Sequence, residues 1–251
     1  MNTERSISIP AAIIIAATII AGAIIWSTRP HTAATTGIQP STTATEEIHM
    51  APVTATDHIL GNPNAEIQIV EYSDPSCPFC KMFQPTMRKI MSDYGAGGKV
   101  AWIYRSFPLD KPDPSGNILH PNAGHEAQAL ECAASLGGND AFWAYTNKLY
   151  EITPSVTPDT PKGLDQAQLP VIAKGVGIDV QAFNNCLSSG KFKDKVEAQY
   201  LDGINAGVSG TPYSIIITSS GTKIPIVGAE TYATLKQTID TLLSASTPSS
   251  N

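Results

Sequence analysis

An α/β domain with a helical insertion, preceded by a transmembrane helix, is the architecture that this 251-residue sequence predicts. Three observations predict it. A run rich in β-branched residues at 67–72 breaks at Asp74-Pro75-Ser76 and gives way to apolar residues at helical spacing: Phe79, Phe83, Ile90 and Tyr94. A second apolar run follows at 100–107, and roughly ninety residues of helical pattern then separate it from a β-hairpin and a last amphipathic helix. Finally, residues 7–26 carry no charge, over about the twenty positions that a bilayer-spanning helix needs.

The N-terminal run sets the compartment. Arg5 and the α-amino group precede it, and Trp26 and Arg29 close it. A cleaved signal peptide is the alternative, but its apolar region is normally shorter, and no small-x-small site follows the run. An uncleaved anchor at 1–27 is therefore favoured, with the N-terminus inside as is usual for a first segment. The protein is expected to sit in the inner (cytoplasmic) membrane as a single-pass chain, its domain facing the periplasm or cell exterior. Residues 28–56, rich in Thr, Ala, Ser and Pro, read as a flexible tether. An edge strand at 49–53 is the alternative for its last few residues. The globular domain is expected at 57–246 and a polar tail at 247–251.

Composition narrows the classes. With 42% hydrophobic residues the chain can bury a core of ordinary size. A net charge of −6 argues against nucleic acid as a partner. Four cysteines are compatible with a compartment where disulfides persist.

Within the domain, 67–72 reads as a buried strand, 78–94 as a helix ended by Gly95-Ala96-Gly97-Gly98, and 100–107 as a second strand. Strand, helix and strand at this spacing make a right-handed βαβ unit with parallel neighbours. Pro85 is expected to kink the helix. The helical insertion is expected at about 110–207. It opens on a proline-rich loop at 107–121 and continues with helices at 122–136 and 140–152, split by Gly137-Gly138, and at 164–174, 180–187 and 191–206. Strands at 214–218 and 223–227 form the hairpin, and 230–243 is the last helix.

The chemistry lies at Cys77-Pro78-Phe79-Cys80, where the first strand hands over to the helix. Pro78 fits a first helical turn, where a missing N–H costs nothing. A thiolate at that point faces unpaired N–H groups and the positive end of the helix dipole, so the Cys77 pKa should fall. Cys77 is expected to be the exposed attacking thiol and Cys80, one turn on and facing inward, the resolving one. Half of a zinc site is the first alternative. It would need a second close pair, and Cys132 and Cys186 stand far apart, so no metal is expected. An inert disulfide is the second. The strand–turn–helix setting favours the redox reading, which needs no cofactor. Glu71, near the end of the first strand, would have a raised pKa if buried, or be a solvated strand end. His120 and His125, at the mouth of the insertion, receive no role.

Cys77-Pro78-Phe79-Cys80-Lys81-Met82 followed by Pro85 resembles the active-site helix of the thioredoxin fold. The longer run from Gly61-Asn62-Pro63-Asn64-Ala65 through Ile69-Val70-Glu71-Tyr72-Ser73-Asp74 to Cys77 is similar to the DsbA-like branch of that superfamily, and the resemblance covers about 57–243. It implies a thioredoxin-like fold whose helical insertion plain thioredoxin lacks. It implies that Glu71 relays protons to the resolving cysteine. It also implies that Gly210-Thr211-Pro212 carries a cis peptide bond facing the cysteine pair, so that the backbone of Thr211 can pair with an extended substrate; a trans proline starting a strand is the alternative. Thr211, Pro78 and Phe79 would line the substrate surface. Four cysteines allow three pairings. Cys132–Cys186 leaves the reactive pair intact and is preferred over two buried free thiols.

The implied activity is protein thiol–disulfide exchange that forms disulfides in exported polypeptides with free thiols through Cys77 and Cys80, with a quinone-linked membrane protein as the reoxidising partner. One departure matters. The strongest oxidants of this family carry His where this chain has Phe79, so its potential is expected to be less oxidising. A disulfide isomerase or reductase is the first alternative. A redox-inactive peptide-binding module is the second, and retention of both Cys77 and Cys80 speaks against it.

Overall fold

β2 (Ile67–Ser73) is the centre of a five-stranded sheet, and its alternation decides which residues meet the chemistry. The computed structural model describes residues 47–154 and 163–246. The expected anchor at 1–27, the tether as far as 46 and the tail at 247–251 lie outside the described residues. Among the described residues no helix is long and apolar enough to cross a membrane.

The strand order is β1-β3-β2-β4-β5. β3 (Val100–Ser106) runs parallel to β2, with Glu71 opposite Tyr104, as the βαβ reading expects. β4 (Tyr213–Thr218) lies antiparallel on the other side of β2, with Glu71 opposite Ser214. β5 (Lys223–Val227) completes the hairpin. β1 (His58–Gly61), which the sequence reading missed, pairs antiparallel with the outer edge of β3. It is four residues long, too short for a period to be visible.

Period-2 alternation splits the sheet into two faces. Ile67 and Ile69 of β2, Trp102 and Tyr104 of β3 and Ile216 of β4 pack on one face. α1 (Pro78–Ile90) lies there, burying Cys80, Phe83, Met87 and Ile90 at helical spacing. Leu235 and Ile239 of α6 (Tyr232–Ser246) join them. Val70, Tyr72, Ala101, Ile103 and Ile215 face the other way, toward Phe107, Ala206 and Val208. Glu71 therefore falls on the α1 face, with its neighbours Val70 and Tyr72 on the opposite one.

The helices depart from their expected bounds for local reasons. α1 contains Pro85 and ends at Ile90, and a π turn (Met91–Gly95) replaces the last expected turn. α2 (Ala123–Ile152) joins the two helices that Gly137-Gly138 was expected to separate, with one break at Gly138, where φ is 75° and ψ is −168°. A side chain would be strained there, so glycine is needed. α3 (Leu169–Gly175) begins later than expected because Pro170 occupies its first turn; a 3₁₀ turn capped by Asp165 precedes it. α4 (Val180–Ser188) and α5 (Lys193–Asn205) follow.

Residues 47–56, counted with the tether in the sequence reading, lie on the domain instead. Buried Arg105 explains this. Its guanidinium donates to Asp57 (2.9 Å), to Asp202 (2.7 Å) and to the carbonyls of Ala51 (3.0 Å) and Pro52 (3.1 Å). Ile48, Met50 and Val53 pack against the second core. No strand forms at 49–53.

Cys132 of α2 and Cys186 of α4 are joined by a disulfide across 54 residues of chain. Closing a loop of that length should stabilise the fold by about 4 kcal/mol through the unfolded state. The double variant Cys132→Ala/Cys186→Ala is therefore expected to lose about 4 kcal/mol in urea unfolding, and a loss below about 1 kcal/mol would refute a stabilising role.

Candidate active site

Cys77 is the N-cap of α1, with extended backbone (φ −75°, ψ 124°) and Pro78 in the first turn. Its side chain does not cap the helix. The N–H of Lys81 closes the first helical hydrogen bond on the Cys77 carbonyl at 3.0 Å. The sulfur is thus left free for other partners. It donates to the Thr211 carbonyl at 3.4 Å, on a loop where the Thr211–Pro212 bond is cis. Both Cys77 and Cys80 are free thiols.

The expectation of an exposed Cys77 is wrong. Only 3% of the residue is exposed. It forms part of the floor of a groove of about 830 Å³ whose walls include Phe79, Leu109, Leu119, His120 and Thr211. The Thr211 carbonyl covers the sulfur from one side, so a reacting group must come along the groove. The groove rim is apolar: Phe79 is 58% exposed and Leu119 62%. Pro78, Phe79 and Thr211, expected at a substrate surface, do lie together in this groove.

The two sulfurs titrate in opposite directions. A hydrogen bond from Cys80 to the Cys77 sulfur is the largest influence on Cys77. Burial opposes it, Thr211 and the Cys80 N–H assist it, and the result is a thiol lowered to about 6. Cys80 is fully buried, and burial first, then its hydrogen bond to Cys77 and the Cys77 charge, push it well above the ordinary range. The N–H of Asp74 points at its sulfur at 3.4 Å.

Three carboxyl groups surround this pair, all buried. Glu71 is not a solvated strand end. It accepts from Ser73 Oγ at 2.6 Å and from Trp102 Nε1 at 2.8 Å, and burial outweighs both bonds, raising it to about 7. Ser73 Oγ also bonds the Tyr150 hydroxyl at 2.9 Å, and Tyr150 bonds Tyr104 at 3.1 Å. Glu126 of α2 is likewise raised by burial to about 7, although it accepts from Ser76 Oγ at 2.7 Å and Gln166 Nε2 at 2.9 Å. Asp74 accepts the Ser76 N–H, the Leu109 N–H and His120 Nδ1, the last at 2.8 Å. Asp74, Glu126 and the Ser73–Tyr150–Tyr104 chain were not singled out from sequence, and His120 was given no role there. Glu126 left a signal: it follows Ala123 by three residues and precedes Leu130 by four, on the apolar face of its helix. His125 bonds Gln166 away from the groove.

Among the described residues no group of His, Cys, Asp and Glu could hold a metal ion. Cys132 and Cys186 are bonded to each other, which removes the second half of a zinc site.

A dithiol at a helix mouth, facing a cis-proline loop across a central strand, defines a thioredoxin-class site. A family model described as Thioredoxin matches residues 53–241, and the chain belongs to that family. Wolbachia pipientis alpha-DsbA1 has a similar fold, with a TM-score of 0.64 at 23% identity over 77% of this chain and 94% of that one. The Na(+)/H(+) antiporter NhaA 3 of Salinispora tropica is 30% identical over 157 residues, 62% of this chain and 21% of that protein. A Rickettsia prowazekii protein provisionally named a protein-disulfide oxidoreductase, RP025, is 26% identical over 150 residues, 59% of this chain and 48% of that protein. The chain spans from a fifth to a half of the length of these two relatives.

Burial of Glu71 predicts a pH dependence of stability. Its folded pKa, about 7, lies above its ordinary value of 4.5, so the folded state binds the proton more tightly than the unfolded chain. Stability from this group is full below about pH 4.5 and is lost as pH rises through about 7. Glu71→Gln removes that loss. The stability of the wild type relative to Glu71→Gln should fall by on the order of 3 kcal/mol between pH 4.5 and 7, measured by urea unfolding. A difference that stays flat with pH would contradict a buried, proton-binding Glu71.

Proposed function

We propose that this chain is a membrane-tethered, extracytoplasmic protein thiol–disulfide oxidoreductase that forms disulfides in exported polypeptides through Cys77 and Cys80. The observation that carries the reading is the asymmetry of the pair: the Cys77 thiol is lowered to about 6 while the Cys80 thiol is raised. The tether is supported by the uncharged run at 7–26.

In the disulfide form, a substrate thiolate attacks Cys77 Sγ along the groove. The Cys77–Cys80 bond breaks, and Cys80 leaves with the electron pair. Glu71, half-protonated near pH 7, supplies the proton that the buried Cys80 sulfur takes up. The second substrate thiolate then attacks the substrate sulfur of the mixed disulfide and displaces Cys77 as a thiolate. Two electrons have moved from substrate to protein, and the substrate holds a new disulfide. A quinone-linked membrane protein would take these electrons and restore Cys77–Cys80. Thr211, turned toward the sulfur by Pro212, offers its backbone to an extended substrate, and Pro78 and Phe79 form the adjacent surface. The direction follows from the acidity of Cys77. A thiol that is a stable anion at neutral pH favours the reduced pair, which makes the disulfide an oxidant rather than a reductant.

Two measurements test this. The oxidised protein should convert a reduced two-cysteine peptide to its disulfide, and Cys77→Ser should abolish the reaction; Cys80→Ser, given the same peptide in its disulfide form, should form a mixed disulfide through Cys77 with release of one peptide thiol. The pair, equilibrated with glutathione, should have a potential above the roughly −270 mV of thioredoxin. A potential at or below that value would make it a reductase, and absence of exchange would leave only a peptide-binding role.

A further inference from the structure

We propose that His120 is a positioning residue that adds to the Cys80 hydrogen bond in favouring the ionised form of Cys77, a cation held on Asp74 in the wall of the same groove. The inference rests on the redox reading above and adds to it the source of the positive charge. Phe79, between the cysteines, supplies none. The two lysines near the site are turned away. Lys81 donates to the carbonyls of Thr153 and Glu151, at 2.5 and 3.2 Å. Lys111 pairs with Glu197 and lies over the Tyr200 ring.

His120 is fixed where a charge is useful. Its Nδ1 lies 2.8 Å from Asp74 Oδ2, and its backbone N–H donates to Leu109, whose own N–H donates to the same Asp74 oxygen. The imidazole is 5% exposed and shares the groove with Cys77. The charged groups facing it are Asp74 from the turn before α1, Cys77 from the mouth of α1 and Glu126 from α2. All three are acidic. Burial works against protonation of His120, but the Asp74 bond and these charges outweigh it, and its pKa is raised. The effect on Cys77 is reciprocal. The Asp74 charge opposes ionisation of both cysteines. A protonated His120 offsets that charge and leaves the Cys80 donors to the Cys77 anion uncontested.

The test uses the full chain. In the reduced protein, followed by thiolate absorbance, His120→Asn should raise the Cys77 midpoint from about 6 by about one unit, since it keeps a donor to Asp74 but no charge. The equilibrium constant for oxidising glutathione should fall roughly fivefold at pH 7. His120→Lys should restore both toward the wild type. A second measurement needs no variant and decides the matter if these do not fold: the His120 imidazole, titrated by NMR, should have a lower midpoint in the oxidised protein, where Cys77 carries no charge, than in the reduced one. A Cys77 midpoint unchanged in His120→Asn, or a His120 midpoint independent of redox state, would overturn the proposal. Failure of the redox reading is distinct, because wild-type protein would then show no exchange with a reduced peptide whatever His120 does.

Discussion

A sulfur anion in a nearly closed site persists only where donors converge on it, and this structure depends on that convergence at Cys77. Cys77 ends an extended segment and begins a helix, so its sulfur stands before the unpaired N–H groups of α1. Cys80, one turn on, faces the same sulfur from the buried side of the helix. The α1–β2 packing that buries Phe83, Met87 and Ile90 fixes that side, because their spacing leaves Cys80 no other direction. The hydrophobic core thus sets which of two chemically identical thiols is acidic.

The second constraint is the acid accumulated around the pair. Glu71, Asp74 and Glu126 are each buried, and each would destabilise a neighbouring thiolate if ionised without a partner. The structure meets this in three ways. Glu71 and Glu126 hold their protons to about pH 7. Asp74 takes two backbone N–H groups and His120. A carboxyl that is half-protonated near neutral pH is also one that can give and take a proton beside Cys80. In the proposed reaction, the same burial that costs stability supplies the proton that Cys80 takes up.

Much of the fold was legible in the sequence. The βαβ unit, the hairpin and the helical insertion announced themselves by period, and the cysteine motif by its place at a strand–helix junction. What was not legible depended on distance through space. β1 was too short to show a period. Residues 47–56 read as tether because Arg105, which holds them, lies some fifty residues away in sequence. Glu71 was open between two environments until the sheet register placed it opposite Tyr104 and Ser214. His120 sat in a proline-rich loop with no pattern, and only the fold brings it to Asp74, 46 residues earlier. Cys77 was expected in the open; the Thr211 carbonyl that roofs it is 134 residues distant.

The account stands on the ionisation of one thiol. Its most direct test is the rate at which iodoacetamide alkylates Cys77 in the reduced protein as a function of pH, with the modified residue identified by mass spectrometry. The convergence of donors predicts a half-maximal rate near pH 6, with Cys80 unreactive throughout. A midpoint near the ordinary cysteine value of about 8.5, or alkylation of Cys80 first, would contradict it.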